Sequence, residues 1–145
     1  MSATPRKKTP AGPAGGVAFD RVPPSSVEAE RSVLGSILIS PRAVGQAVEI
    51  LGSSGEAAFY VPAHQIIYDS CVELYRRNFP VDLVTLTDEL VRTGRLDAVG
   101  GATYLAELSG VSHTSADLEY YARQVQDAAI LRSLITVRGS VSAQA

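Results

Sequence analysis

Pro23–Leu38 reads PPSSVEAERSVLGSIL. The two prolines hold φ near −65° and stop the coil that precedes them. Ser25 stands three residues before Glu28, the spacing at which two side chains can each satisfy the other's orphan backbone donor. Behind this cap, Val27, Glu30, Leu34 and Ile37 share one helix face, which Val33 and Leu38 widen. Glu30 alone interrupts the apolar stripe. A capped helix with one apolar face is the opening element of a packed all-helical domain.

The rest of the chain continues in the same period. Ser40-Pro41 offers an N-cap followed by proline at the first helical position, and Val44, Val48 and Leu51 then form a short amphipathic helix that Gly52-Ser53-Ser54-Gly55 ends. A third helix begins near Pro62. Its two adjacent stripes, Ile67/Cys71/Leu74 and Tyr68/Val72/Tyr75, suit a central helix contacted from two sides. Asp82 caps a fourth helix in which Leu83, Leu86 and Leu90 recur while Asp88, Glu89 and Arg92 are expected in water; Gly94 supplies the left-handed stop. Gly100-Gly101 opens a fifth helix carrying Tyr104, Leu105 and Leu108. Ser115 precedes a long sixth, from about Ala116 to Arg138, whose stripe shifts from Leu118/Tyr121/Val125/Ala128 to Ile130/Leu134/Val137/Val141. The expected fold is all-α, a compact head of about five helices (25–112) followed by a long projecting helix (113–145), with residues 1–24 as a disordered basic leader.

Composition narrows the function classes. The 145 residues suit one core, and 46% apolar and 19% charged residues are those of an ordinary globular protein. No apolar run approaches the roughly 20 residues that span a bilayer, so no membrane partner is expected. The single cysteine, Cys71, lies in an apolar helical pattern and reads as a packed thiol in a reducing, cytoplasmic setting. Residues 1–24 carry Arg6, Lys7, Lys8 and Arg21 against Asp20, a balance of +3. The rest therefore holds −5 of the total −2. An acidic body argues against a nonspecific grip on nucleic-acid phosphates.

Candidate chemistry is sparse. His64 and Asp69 are five residues apart, off the spacing for paired ligands, so His64 reads as a helix-start histidine making a structural hydrogen bond and His113 as a loop residue. Glu28, Glu30, Asp88 and Glu89 are not placed as a general acid–base pair, and capping or solvation accounts for each. Val84–Leu96 has the outline of a helix-turn-helix fragment. Its middle carries Asp88 and Glu89 where a major-groove reader needs Arg, Lys, Asn or Gln, so a small DNA-binding regulator is the alternative reading. A P-loop is missing: Gly52–Glu56 has glycines but no lysine or following Ser or Thr. No catalytic, cofactor or metal residues are expected. What remains is an interaction surface on the long helix: Tyr120, Tyr121, Val125, Leu131 and Leu134. A helix apolar around much of its circumference needs more than one small domain to cover it.

Several separated stretches resemble, in order, the N-terminal domain of bacterial replicative DNA helicases of the DnaB family. They are PPSSVEAERSVLGSIL, then FYVPAHQIIYDSCVELYRRNFPVDLVTLTDELVRTGRLDAVGGATYLAEL (Phe59–Leu108) and ADLEYYARQVQDAAILRSLI (Ala116–Ile135). Phe79 departs from the glycine or small polar residue usual before the following proline, a change expected to alter that turn slightly. The resemblance implies that the long helix is the first limb of a helical hairpin. It also implies a collar and oligomerisation domain that pairs, three pairs forming a ring through which single-stranded DNA threads. Implied partners are the C-terminal domain of primase and a helicase loader. ATP and Mg would belong to a motor domain absent from this chain, which is expected to be a piece of a longer helicase.

Overall fold

Local chemistry at the helix ends sets most element boundaries. The structure, a computed structural model, describes residues 25–111 and 117–144, the side chains of 136–144 excepted. The expected leader, His113 and the segment before the long helix lie outside the described residues. Helix α1 spans Val27–Ile39, α2 Ala43–Leu51, α3 Gly55–Ala58, α4 Pro62–Arg76 and α5 Leu83–Arg92. After a 3-10 turn at Asp97–Val99 come α6, Gly101–Ser109, and α7, Leu118–Gln144. The described residues contain these seven α-helices and no strand, and no helix among them is long and apolar enough to cross a membrane.

Two caps differ from expectation. Ser26, not Ser25, caps α1, its Oγ accepting from Ala29 N at 3.3 Å. The third helical position is then Ala29, which has no side chain to return the bond, so the Ser25–Glu28 box does not form. Ser40 does not start α2. Its backbone is extended and closes α1 by donating to Ser36 O, and α2 begins at Ala43 with no side-chain cap from Arg42. The Gly52–Gly55 terminator also hides a helix, because Ser54 Oγ accepts from Ala57 N at 3.2 Å and holds the single turn α3. Asp82 caps α5 as expected, in a box completed by Thr85.

The ends of α4 and α5 share one device. Gly94 (φ 71°) donates to Val91 O and Arg95 N to Leu90 O; Asn78 (φ 63°) donates to Tyr75 O and Phe79 N to Leu74 O. Both are paired 5→2 and 6→1 bonds that satisfy the last carbonyls. Asn is the non-glycine residue best suited to this left-handed position. The turn before Pro80 therefore depends on Asn78, while Phe79 only closes it.

α4 occupies the centre and packs against α1, α2, α3, α5 and the 3-10 turn, while α6 packs on α1 and α5. Ile67, Tyr68, Cys71 and Leu74 from α4 meet Leu34 and Ile37 of α1, Leu86 and Leu90 of α5, and Leu105 and Leu108 of α6 in one buried cluster. Burial pushes the Cys71 thiol up to about 12, so it stays protonated and packs as a small apolar group. Tyr68 donates its hydroxyl to Gly52 O at 2.6 Å, and Gln126 Nε2 on α7 donates to Ile50 O at 2.8 Å. Ser25–Ile130 form one compact unit, to which the first turns of α7 contribute Leu118, Ala122 and Val125; from Leu131 onward α7 falls in a second unit.

Glu89 overturns the expectation of a solvated acidic face on α5. It is buried and bridges two cations, Arg92 Nη2 at 2.8 Å and Arg77 Nη2 at 2.8 Å. The fourth-helix stripe included every third or fourth leucine but not the position beside Leu90, which the end of α4 covers by bringing Arg77 across. The Arg92 hydrogen bond, with Arg77 adding to it, holds the Glu89 carboxyl below the usual carboxylate range. A carboxyl whose pKa is lower folded than unfolded stabilises above its unfolded value, about 4.3, and loses that contribution as pH falls through the folded value. Urea titrations should therefore find Glu89→Gln less stable than wild type at pH 7, with the gap narrowing below about pH 4. A gap independent of pH would show that the ion pairs contribute nothing.

Candidate functional site

The charged residue inside the first apolar stripe is the centre of a buried polar chain. Glu30 is almost wholly buried, so its carboxylate must find donors within the protein. α4 provides them. Its N-cap, Val61, has no side chain able to cap, and Pro62 takes the first helical position. Glu30 Oε2 accepts from Tyr60 N at 2.7 Å and Oε1 from Val61 N at 3.4 Å, so a carboxylate on α1 caps α4 from across the core. Negative charge at a helix N-terminus is also favoured by the helix dipole.

His64 extends the chain. Its Nδ1 lies 2.7 Å from Glu30 Oε1 and its Nε2 2.6 Å from the Tyr104 hydroxyl on α6. A neutral ring with the proton on Nδ1 donates to the carboxylate and accepts from Tyr104, which leaves no polar atom of His64 unpaired. The two rings lie within 9° of parallel, their centroids 5.9 Å apart. Burial pushes the Tyr104 phenol up, an effect partly offset by Arg31, whose guanidinium lies 5.6 Å from the ring centroid. Tyr104 therefore holds its proton and can donate it in the bond to His64.

This arrangement has the look of an acid–histidine–hydroxyl relay, but its geometry is structural. Glu30 and His64 are sealed from solvent, and the hydroxyl at the end of the chain belongs to a phenol whose raised pKa makes it a poor nucleophile. What it can do is lock α1, α4 and α6 in one register. The reading of His64 as a structural hydrogen-bond former agrees with this geometry. Glu30 is neither a cap of its own helix nor solvated, against expectation, because its partners come from 30 to 34 residues away. Among the described residues no group of three His, Cys, Asp or Glu side chains could hold a metal ion.

The five surface residues expected on the long helix separate. Val125 is buried in the core and is not part of any exposed face, and Tyr121 is half-buried against that core. Tyr120, Leu131 and Leu134 are 62%, 46% and 57% exposed. Leu131 and Leu134, three residues apart, lie on one side of the helix. Ile130 and Ile135 are exposed beside them. α5 turns Val84, Asp88, Val91 and Arg92 outward, and Arg92, the cation on this face, is already paired with Glu89.

Comparison with known proteins agrees with the fold and the motifs. A family model described as the DnaB-like helicase N terminal domain matches residues 22–127. The replicative DNA helicase DnaB of Geobacillus stearothermophilus is 42% identical over 123 residues, which cover 85% of this chain and 26% of that protein. The DnaB of Mycobacterium leprae is 44% identical over 117 residues, covering 81% and 19%. The chain thus spans about a quarter or less of these relatives. The crystal structure of the N-terminal domain of DnaB helicase from Mycobacterium tuberculosis superposes with a TM-score of 0.79 at 41% identity, covering 84% of this chain and 83% of that one. With the family model matching most of the chain and these relatives above 40% identity, the chain belongs to the DnaB-like helicase N-terminal domain family.

Proposed function

We propose that this chain is the collar of a ring-shaped replicative DNA helicase: it associates with copies of itself and presents a surface on which primase docks. In this reading pairs of the domain assemble as a trimer of pairs, single-stranded DNA threads the completed ring in the cytoplasm, and a helicase loader is a further partner. ATP and Mg act in a motor domain outside this chain. The chain contributes geometry. The Glu30–His64–Tyr104 chain keeps the helices in one register, and the apolar face of α7 meets a second protein surface.

One observation supports this best: Leu131 and Leu134 are exposed on one side of α7. Apolar area removed from water contributes roughly 25 cal/mol per Å² before the entropic cost of association. A charge placed in such a face is strongly unfavourable once the face is covered. Leu131→Asp and Leu134→Asp are expected to reduce the mass measured by light scattering, or to release bound primase, while helical circular dichroism is unchanged. An unchanged mass together with unchanged primase capture would refute the proposal, and loss of helicity would assign these leucines to the core instead.

A further inference from the structure

The start of α4, the 3-10 turn and one face of α6 enclose a shallow surface groove of about 570 Å³. Val61, Ala63 and Val99 give it an apolar wall, beside which lies Tyr104. Two charged side chains line it, Asp97 and Glu107, both acidic and both exposed. Neither makes an ion pair among the described residues, so their charge is left to solvent or to a ligand.

The wall is ordered before any partner arrives. The Tyr104 hydroxyl is held on His64 Nε2 at 2.6 Å. The base of the same side chain packs on Gly100, whose φ is 102° and where an added Cβ would stand 2.9 Å from the Tyr104 Cβ. Glycine at that position lets the 3-10 turn close on α6, and the buried Val99 anchors the turn in the core. A surface fixed in advance loses little freedom on binding.

Charge selects the occupant. The Arg31 guanidinium lies 5.6 Å from the Tyr104 ring centroid but does not line the groove. α6 begins here at Gly100 without a side-chain cap, and the partial positive charge of a helix start, about half a unit, is outweighed by two full carboxylates. The cleft between α2 and α7 is different, because Arg42 and Arg123 offset Glu49 and Glu119 there and favour neither sign. A twofold contact between copies through the α6 groove would set the same carboxylates against each other. We infer that this groove docks a basic segment of a partner protein, with an Arg or Lys on Asp97 and Glu107 and an adjacent aliphatic side chain against Val61 and Ala63.

The probe is a fluorescein-labelled dodecapeptide with a central Leu-Arg-Leu-Lys flanked by Gly and Ser; in a second, Gln replaces Arg and Lys. By anisotropy with the whole chain, the basic peptide should bind about tenfold more tightly than the neutral one, and less tightly as salt rises. Asp97→Asn combined with Glu107→Gln should weaken it about tenfold, as loss of two solvent-accessible ion pairs does. Ala98→Arg, which puts a cation of the chain's own at the groove, should abolish binding. All three side chains are exposed, so melting curves should barely move. Asp88→Asn combined with Glu56→Gln removes the same charge outside the groove and should change affinity by less than about twofold. Equal binding of the two peptides would overturn the inference. Equal losses from the two double variants would do so too, by showing attraction to the acidic body as a whole. So would a concentration-dependent dimer that Ala98→Arg abolishes, since a second copy would then fill the groove.

Discussion

Glu30→Ala is expected to destabilise the domain by about 3 kcal/mol or more, since each buried donor left without a partner costs about 1–3 kcal/mol. The change strands Tyr60 N–H, Val61 N–H and the Nδ1 proton of His64 in the core at once. At about 4 °C per kcal/mol for a domain of this size, the melting temperature should fall by about 10 °C or more. The loss belongs to the network and not to side-chain volume, so Glu30→Gln, which keeps an acceptor of similar shape, should cost less than Glu30→Ala. His64→Ala on the Glu30→Ala background should add little, because each change has already broken the shared bond. Strict additivity in that cycle, or a loss under about 1 kcal/mol for Glu30→Ala, would show that the chain of bonds does not hold the helices together.

Gly55→Ala is the second large effect, for a steric reason. Gly55 starts the single turn α3 and lies against α4, where a Cβ would stand 2.2 Å from Gln65 O and 3.0 Å from Asp69 Oδ1. The first of these is backbone inside a helix and cannot move without breaking the helix. The second accepts the Gly55 N–H at 2.7 Å, so relieving the clash also stretches that bond. Overpacking usually costs about 1–3 kcal/mol and more where backbone is the obstacle, so a loss of about 3 kcal/mol is expected. Gly94→Ala is the comparison. Its φ of 71° is strained for alanine, but nothing lies within 4 Å of the added carbon. It should cost only about 1–2 kcal/mol, the strain alone. Chemical denaturation of the two variants measures the difference, and equal losses would show that conformational strain, not contact, governs both.

The elements that were legible in the sequence are those whose signals are local. Pro62 at the start of α4, Asp82 at the start of α5 and Gly94 at its end each act within one turn, and the structure places all three as read. Cap choice between neighbouring serines was not legible, because Ser25 and Ser26 differ by one residue and only the packed helix selects between them. The turn α3 was hidden because a glycine-serine run signals a break equally well when one turn of helix sits inside it.

Polar residues on apolar faces mark where one-dimensional reading stops. Glu30 was visible as an interruption, and a lone charge in an apolar stripe is itself a sign of a distant partner, whereas Glu89 read as part of a solvated face. The partners themselves, the start of α4 for Glu30 and Arg77 for Glu89, could not be named from spacing. Val125 shows the same limit on the long helix, where periodicity could not tell the turns packed on the core from those left outside.

Helical class, most helix ends and family membership follow from residue order, since turn-scale hydrogen bonds and 3.6-residue periodicity are properties of a short stretch of chain. Which acid is buried, which histidine nitrogen meets it, where a glycine cannot be replaced and which apolar side chains stay in contact with water depend on segments brought together from tens of residues apart. Those are decided only when α1, α4, α5 and α6 close on one another, because the energy of a buried charge or a tight contact is set by neighbours in space.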